Sequence, residues 1–291
     1  MGMTVRMRWP EGKLLSFTMS YDDGRTEDRR LAALMRRYGV KGTFNVNTGL
    51  YCPEDRPDTE SGLPHRKMRR SEMIDFVNEY RDIVEIAAHG RGHKNFATLS
   101  VPQIIDEIIS DRIAIEEDFG TVCRGAAYPY GAVSDDAVKA LGACGISFGR
   151  STVSTGRFDL PENWLRLDPT CHHNDGELFR LLDEFLAERE CFSLEPRLFY
   201  LWGHSYEFDD NGNWDRIERF LSEVGGNPKV WYATNIGIFD YVAAFKNLVW
   251  SARGTRVFNP GCIPVFFYVY KGSWDCGIIC KADPGETLEI G

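Results

Sequence analysis

The sequence lacks the long apolar segments found in membrane proteins and in exported precursors. No stretch approaches the ~18 consecutive apolar residues that identify a transmembrane helix. The chain start, residues 1–6, reaches a charged side chain before the apolar core of a secretory signal could form. We therefore predict a cytoplasmic protein with no membrane partner.

The sequence also has no excess of basic residues and no closely paired cysteines. The chain has 34 basic and 43 acidic side chains, and the formal net charge of -9 disfavours nucleic acid or an anionic membrane surface as a partner. None of the eight cysteines forms a CxxC pair, which excludes a zinc ribbon. In a reducing cytosol we expect free thiols, several of them buried, such as Cys123 and Cys144.

Glycine-rich nucleotide-binding motifs are absent, although strand and helix patterns alternate along most of the chain. Neither GxGxxG nor GxxxxGK[ST] follows the first predicted strand, which removes the usual nucleotide-binding reason for an open sheet. Seven such alternations indicate parallel strands covered by helices, in an open sheet or a barrel. The predicted strands are 14–19, 41–47, 82–88, 122–127, 146–149, 198–202 and 230–232. The predicted helices are 25–38, 71–80, 100–120, 134–143, 177–190, 214–224 and 236–245.

Residues able to do chemistry follow several of these strands. The set comprises Asp22 and Asp23 after the first strand, His89 after the third, Tyr130 after the fourth and His204 after the sixth. The carboxyl ends of the strands form one face of a parallel barrel, and that face carries the active site. This placement favours the barrel over the open sheet.

Two adjacent acids and two spaced histidines are suited to a divalent metal ion. Asp22 and Asp23 would raise each other's pKa, and a cation held by one of them removes that conflict and leaves the other free as a base. His89 and His93 are four residues apart, so one turn can direct both imidazoles to the same ion. With His204, the set is typical of a hydrolase whose metal has three protein ligands and one open position.

Four motifs together resemble the polysaccharide deacetylase family, also called the NodB-homology domain or carbohydrate esterase family 4. They are Ser20 to Gly24 (Ser-Tyr-Asp-Asp-Gly), His89 to His93 (His-Gly-Arg-Gly-His), Ala127 to Gly131 (Ala-Tyr-Pro-Tyr-Gly) and Leu201 to His204 (Leu-Trp-Gly-His). Their order and spacing agree with the family over residues 12–245.

The resemblance implies a fold, a reaction and a cofactor. The fold is an α/β, distorted (β/α)7 barrel, which we place at residues 1–246. The reaction is removal of N-acetyl or O-acetyl groups from an amino-sugar oligo- or polysaccharide. The cofactor is one divalent metal ion, with zinc expected first and cobalt, nickel, manganese or iron as alternatives.

The resemblance also implies roles for single residues. Asp23, His89 and His93 would bind the metal, while Asp22 would be the general base and His204 the general acid.

Four further residues are predicted at the substrate cleft: Tyr130, Arg124, Trp202 and His172. A backbone N–H near Tyr130 is suited to an oxyanion, and Trp202 is suited to stacking on a sugar. His172 lies in the cluster from Cys171 to Asp175, whose histidines either reach into the cleft or are hydrogen-bonded to its rim.

The sequence departs from the family pattern at three places. Ala127 stands where the family has an arginine, and Arg124, three residues earlier on the same predicted strand, faces a different way. Gly90 replaces a serine or threonine. The aspartate that tunes the acid histidine has no evident counterpart, and Asp159 and Asp168 are the candidates.

After residue 246 the pattern becomes rich in strands broken by proline and glycine. We predict that residues 247–291 form a small antiparallel β appendage packed on the barrel. It could close the barrel, contact carbohydrate or form the surface of a homo-oligomer.

Two other functions stay open. The same barrel and metal could act on another amide or a cyclic imide, which would depend on the irregular segments 48–70 and 150–176. Alternatively, the protein could bind carbohydrate without catalysis. The presence of all five candidate metal and catalytic residues counts against a decayed site.

Overall fold

The computed structural model describes residues 3–55, 65–187, 195–271 and 277–290. Within these ranges the chain forms fourteen β-strands and eight α-helices. The strands are β1 (Met3–Arg8), β2 (Leu15–Asp22), β3 (Gly42–Val46), β4 (Val84–Ala88), β5 (Gly125–Ala127), β6 (Phe148–Arg150), β7 (Cys171–His172), β8 (Arg197–Gly203), β9 (Val230–Tyr232), β10 (Val249–Trp250), β11 (Arg256–Phe258), β12 (Val265–Lys271), β13 (Ile278–Ala282) and β14 (Thr287–Glu289). The helices are α1 (Asp28–Arg37), α2 (Arg70–Tyr80), α3 (Val101–Phe119), α4 (Asp135–Ala143), α5 (Leu178–Leu186), α6 (Glu207–Asp210), α7 (Trp214–Val224) and α8 (Asn235–Lys246).

The largest sheet is parallel and curls around a buried interior. Its strand order is β6-β5-β4-β3-β2-β8-β7, and β9 pairs with the first residues of β2. Every pairing recorded in this sheet is parallel, as strand–helix alternation requires. The predicted distorted (β/α)7 barrel is therefore confirmed, and its seven predicted strands correspond to β2–β6, β8 and β9.

The segment predicted to be irregular, residues 150–176, differs from that prediction. It contains β7, and Leu167 forms a parallel bridge with Arg150 at the end of β6. Because β7 also pairs with β8, this segment contacts both ends of the sheet. A strand of two residues is too short to show a period in the sequence.

Apolar and polar side chains alternate along β2, so the two faces of this strand lie in different environments. Phe17, Met19 and Tyr21 are buried in the main apolar core. The intervening small polar residues make hydrogen bonds instead: Thr18 Oγ1 donates to Asn235, and Ser20 Oγ accepts from Asn45. Successive side chains of a strand point to opposite faces, so β2 combines an apolar outer face with a polar interior.

Helix α3 begins and ends where its sequence indicates. Ser100 and Gln103 form a capping box at its start. Gly120 ends the helix in the left-handed conformation, with φ of 63°. This helix matters for the site because Glu107 and Asp111 project from it towards the loop after β4.

The C-terminal strands form two antiparallel sheets of three strands, ordered β1-β12-β13 and β10-β11-β14. The division at residue 246 stays a prediction. However, β1, which the prediction placed with the barrel, pairs with β12 over six residues. Tyr241 of α8 links this sheet to the barrel, because its hydroxyl donates to the Arg8 carbonyl and accepts from the Phe266 N–H.

Free cysteines include four that are buried, as predicted for Cys123 and Cys144: Cys52, Cys123, Cys144 and Cys171. Cys262 is exposed, and Cys191 and Cys276 lie outside the described residues. Among the helices within the described ranges, none is both long enough and apolar enough to cross a membrane.

Candidate metal centre and active site

A cleft of about 440 Å³ opens at the carboxyl ends of the parallel strands. It contains all five residues to which metal or catalytic roles are attributed. The residues that line it are Asp22, Asp23, His89, His93, Tyr128, Tyr130, Thr152, Trp202, His204 and Tyr206. The strand topology therefore brings together side chains that are up to 182 positions apart in the sequence.

Asp23, His89 and His93 form a compact group of metal-ligand type. Their ligand atoms lie within 4.8 Å of one another. His93 Nε2 is 3.8 Å from Asp23 Oδ1, and the two imidazole rings are 4.8 Å apart. One carboxylate and two imidazoles are a donor set suited to zinc and to related divalent ions.

The hydrogen bond at the far side of His89 supports this assignment. His89 Nδ1 lies 3.0 Å from the carbonyl oxygen of Ala127, which can only accept a hydrogen bond. Nδ1 therefore carries the proton, and Nε2 presents its lone pair. Metal-binding histidines are commonly oriented in this way. Burial also lowers the pKa of His89 to about 4, which keeps the ring neutral.

Two acids on α3 hold the loop that carries both histidines. Asp111 accepts from the His89 N–H at 3.0 Å, and Glu107 accepts from the Gly92 N–H at 2.7 Å. Gly90 has φ of 73°, a backbone conformation that the serine or threonine of the family pattern would adopt only with strain. The conformation of the loop therefore depends on Gly90 and on the hydrogen bonds that its backbone donates to Asp111 and Glu107.

Asp22 is buried, and its two oxygens have different surroundings. Oδ1 accepts hydrogen bonds from Asn45 and from the guanidinium of Arg150. Oδ2 lies 3.6 Å from His89 Nε2 and 3.9 Å from His204 Nε2. Burial by itself would raise the pKa of Asp22, but Arg150, His89 and His204 together outweigh it and the pKa is lowered. One oxygen is therefore anchored while the other faces the cleft.

Asp22 is paired with Arg150, although the third motif carries Ala127 where the family has an arginine. Arg150 is the last residue of β6, the strand that follows β5, and its side chain contacts Asp22. Arg124, the residue predicted near the substrate, instead forms a two-bond ion pair with Asp240. As its position on the strand indicated, Arg124 faces away from Asp22. The sequence carried no signal that would have identified Arg150.

Asp23 is surrounded by protein cations. Lys67 Nζ lies 3.1 Å from Asp23 Oδ1, and Arg25 lies 3.2 Å from Oδ2. Burial would raise the pKa of Asp23, but Lys67, His89 and Arg25 together hold it well below its usual range. The backbone of Asp23 is left-handed, with φ of 85°, which turns its side chain away from that of Asp22.

His204 contacts a carboxylate on each side. Its Nδ1 is 2.9 Å from Glu207 Oε1, and its Nε2 faces Asp22. Burial would lower the pKa of His204, but Glu207 and Asp22 outweigh it and the pKa is raised. The imidazolium form is therefore more favoured than in an isolated histidine.

Glu207 corrects the prediction that Asp159 or Asp168 contacts this histidine. Asp159 lies beside Arg157, and Asp168 accepts a hydrogen bond from Ser151. Glu207 is three residues after His204, in the short helix α6, which the sequence did not predict. The spacing of three residues was the available signal, since it is the spacing of neighbours on a helix.

A second group of metal-ligand type surrounds Glu207. The Nε2 atoms of His172 and His173 each lie 3.0 Å from Glu207 Oε2. However, His172 Nδ1 accepts a hydrogen bond from the Asn174 N–H, so the proton of a neutral His172 is on Nε2. His172 is therefore set to donate to Glu207 and has no lone pair on Nε2 for a metal. It contacts the cleft only indirectly, through the ring of Trp202.

Aromatic side chains form the rim. Tyr130 is 67% exposed, and its ring packs edge-on against His93 at 4.6 Å. Trp202 and Tyr206 line the cleft beside His204. Trp202 itself is buried, as are Phe208 and Trp214, which follow His204 in the sequence.

Comparison with known proteins agrees with this geometry. A family model described as polysaccharide deacetylase matches residues 13–149, which confirms the resemblance seen in the motifs. The matched segment contains the candidate metal group and Asp22 but ends before Arg150 and His204. No protein with a curated description matches the chain significantly.

Solved structures share the fold at low sequence identity. A Mycobacterium smegmatis protein named as a candidate polysaccharide deacetylase has a TM-score of 0.56 and 18% identity, over 83% of this chain and 94% of that one. A BA3943 mutant, described as a pseudoenzyme of carbohydrate esterase family 4, has a TM-score of 0.49 and 17% identity, over 81% and 70%. The Streptococcus pyogenes deacetylase PplD, in complex with acetate, has a TM-score of 0.42 and 18% identity, over 51% of this chain and 61% of its own. The match thus spans less than two thirds of the PplD chain.

Proposed function

We propose, from the polysaccharide deacetylase segment at residues 13–149, that this protein is a metal-dependent hydrolase that removes acetyl groups from an amino-sugar oligo- or polysaccharide. One observation carries the proposal. The candidate metal group, Asp22 and His204 converge on a single cleft, and the Nε2 lone pair of His89 is available there.

Asp23, His89 and His93 would hold one divalent ion, with zinc expected first. When bound, the ion would polarise the acyl carbonyl and lower the pKa of a water molecule. The residues around it supply the proton transfers and the orientation of the substrate.

Asp22 is suited to be the general base. Arg150, His89 and His204 together lower its pKa and keep it ionised, and Asn45 and Arg150 fix its Oδ1. Its Oδ2 is then free to take a proton from the attacking water.

His204 is suited to be the general acid. Glu207 accepts a hydrogen bond from its Nδ1 and raises the pKa of His204, which favours the imidazolium form, in which Nε2 also carries a proton. That proton can pass to the leaving amine as the carbon–nitrogen bond breaks. Asp22 and His204 are separate groups, as hydrolysis of an amide requires.

The rim provides a surface for a sugar. Tyr130 exposes an aromatic ring next to His93, and Tyr206 and the buried Trp202 line the cleft beside His204. A backbone N–H near Tyr130 is a candidate donor to the oxyanion.

Acetate release from acetylated chito-oligosaccharides tests the proposal. We expect activity that a chelator abolishes and that zinc restores, and a fall in kcat of at least ~100-fold in Asp22→Asn. Asp159→Asn, at an exposed ion pair, is the matched control and should behave as wild type.

Other outcomes would contradict the proposal in different ways. Acetate release that is insensitive to chelator would exclude the metal. Sugar binding without acetate release would indicate a carbohydrate-binding protein. Hydrolysis of a cyclic imide or of a simple amide in place of the sugar would move the substrate to another class.

A further inference from the structure

Both carboxylate oxygens of Asp23 are paired with cations of the protein itself. Lys67 Nζ is bound by three oxygens: Asp23 Oδ1 at 3.1 Å, the Asp23 carbonyl at 3.0 Å and Asn47 Oδ1 at 2.7 Å. Arg25 lies on the other carboxylate oxygen. The side chains of Lys67 and Asp23 are only 14% and 10% exposed, so water screens this pair weakly.

The two cations are held in place by paired backbone. Arg25 and Lys67 face each other in an antiparallel bridge, and the Thr26 N–H donates to the Arg66 carbonyl. Arg25 also donates to the carbonyl of His65. Neither cation therefore depends on Asp23 alone for its position.

This arrangement is unlike that of the neighbouring acid. Asp22 has one guanidinium, Arg150, so its charge is balanced. Asp23 has two cations for one negative charge. A divalent ion that arrives at Asp23 would meet an excess of positive charge in a weakly hydrated site, where Coulomb repulsion is strong.

We propose that Lys67, with Arg25, is a built-in counter-charge that weakens divalent metal binding at Asp23, His89 and His93. The inference rests on the proposed metal site and adds a property to it. The ligand set by itself would bind the ion more tightly than the whole protein does, and Lys67 offsets part of that affinity while it orients Asp23.

Metal affinity of purified, metal-free protein tests this without any assay of activity. Zinc titration against a competing chelator should show that Lys67→Met binds zinc at least ~10-fold more tightly than wild type. Lys67→Arg keeps the charge and should stay within ~3-fold of wild type. Lys139→Met is the control, since Lys139 is an exposed lysine of α4 beside the exposed Asp136, and it should change nothing.

A purely structural role of Lys67 predicts the opposite result. If Lys67 only holds Asp23 in place, Lys67→Met will bind zinc as weakly as wild type or more weakly, with an unchanged circular dichroism spectrum, and the inference is overturned. Should Lys67→Met fail to fold, Arg25→Met tests the same point by removing the other cation. A wild-type protein that takes up no metal would overturn the proposed function as well, so the two failures are distinguishable.

Discussion

Two clusters in this molecule each combine two histidines with one acidic residue at short distances, yet the structure prepares them for different tasks. One is Asp23, His89 and His93, and the other is His172, His173 and Glu207. In each, two imidazoles and one carboxylate have ligand atoms within 4.8 Å of one another. Residue type and distance therefore do not separate them.

The hydrogen bond at Nδ1 of the histidine distinguishes the two clusters. His89 donates from Nδ1 to a carbonyl, which leaves Nε2 free for a metal. His172 accepts at Nδ1 from an N–H, which places its proton on Nε2 and directs it to Glu207. The comparison teaches that the atom behind a histidine decides whether it binds a metal or donates a proton.

Replacement of one histidine in each cluster is the strongest test of this comparison. His93 and His172 are matched, with side chains 21% and 22% exposed. We expect His93→Ala to weaken zinc binding by more than ~100-fold and His172→Ala to leave it within a few-fold, because only His93 belongs to the proposed ligand set. Equal losses in the two variants, measured by zinc titration, would contradict the assignment.

An effect of comparable size, on stability instead of binding, is expected from removal of the charge of Arg150 that pairs with Asp22. Arg150 and Asp22 are both almost fully buried, so Arg150→Met should lower the free energy of unfolding by about 3–5 kcal/mol. The double variant Arg150→Met/Asp22→Asn should recover part of that loss, because it removes the uncompensated buried charge. Denaturant unfolding measures both, and a double variant no more stable than the single one would argue against the pairing.

Glu207→Gln tests the role of the acid in the second cluster. Loss of the carboxylate removes the group that raises the pKa of His204, so that pKa falls. The alkaline limb of the pH–rate profile should then move to lower pH, with kcat reduced by roughly 100-fold. Zinc affinity should stay unchanged; release of the metal would mean that Glu207 belongs to a metal site after all.

Asp111→Asn is expected to have the smallest effect. It tests the contact by which α3 holds the backbone of His89. Burial raises the pKa of Asp111 to about 6. The folded state therefore retains a proton that the unfolded state loses near pH 4, and this contribution to stability is lost as the pH rises through about 6. Between pH 4.5 and 7, the metal-free wild type should lose about 2 kcal/mol of unfolding free energy that Asp111→Asn does not lose.

Asp106→Asn is the control for this measurement. Asp106 lies on the same helix but is exposed, so its replacement should leave the pH dependence of stability as in wild type. If Asp111→Asn and Asp106→Asn show the same pH dependence, Asp111 does not hold its proton in the way its burial indicates.

The parts of the site that could be predicted share one property. Asp22, Asp23, His89 and His204 each follow a strand with a clear apolar pattern, and parallel strands place their carboxyl ends on one face. Their convergence follows from strand order and needs no knowledge of side-chain contacts. His93 followed because its spacing from His89 is local.

The parts that could not be predicted depend on contacts between distant segments. Arg150 reaches Asp22 across 128 positions, and a charged residue at the end of a short strand gives no pattern. The strand β7 is two residues long, and its place beside β8 is decided by pairing alone. For the same reason, neither Lys67 nor Glu207 stood out among the charged residues of their segments.

The sequence by itself determined the alternation of strands and helices, and with it the rim on which the acids and histidines meet, because periodicity is a local property of the chain. Only the tertiary structure decided which proton each histidine holds and which cation balances each acid. Those properties depend on single atoms that come within about 3 Å across the fold, and no local pattern specifies them.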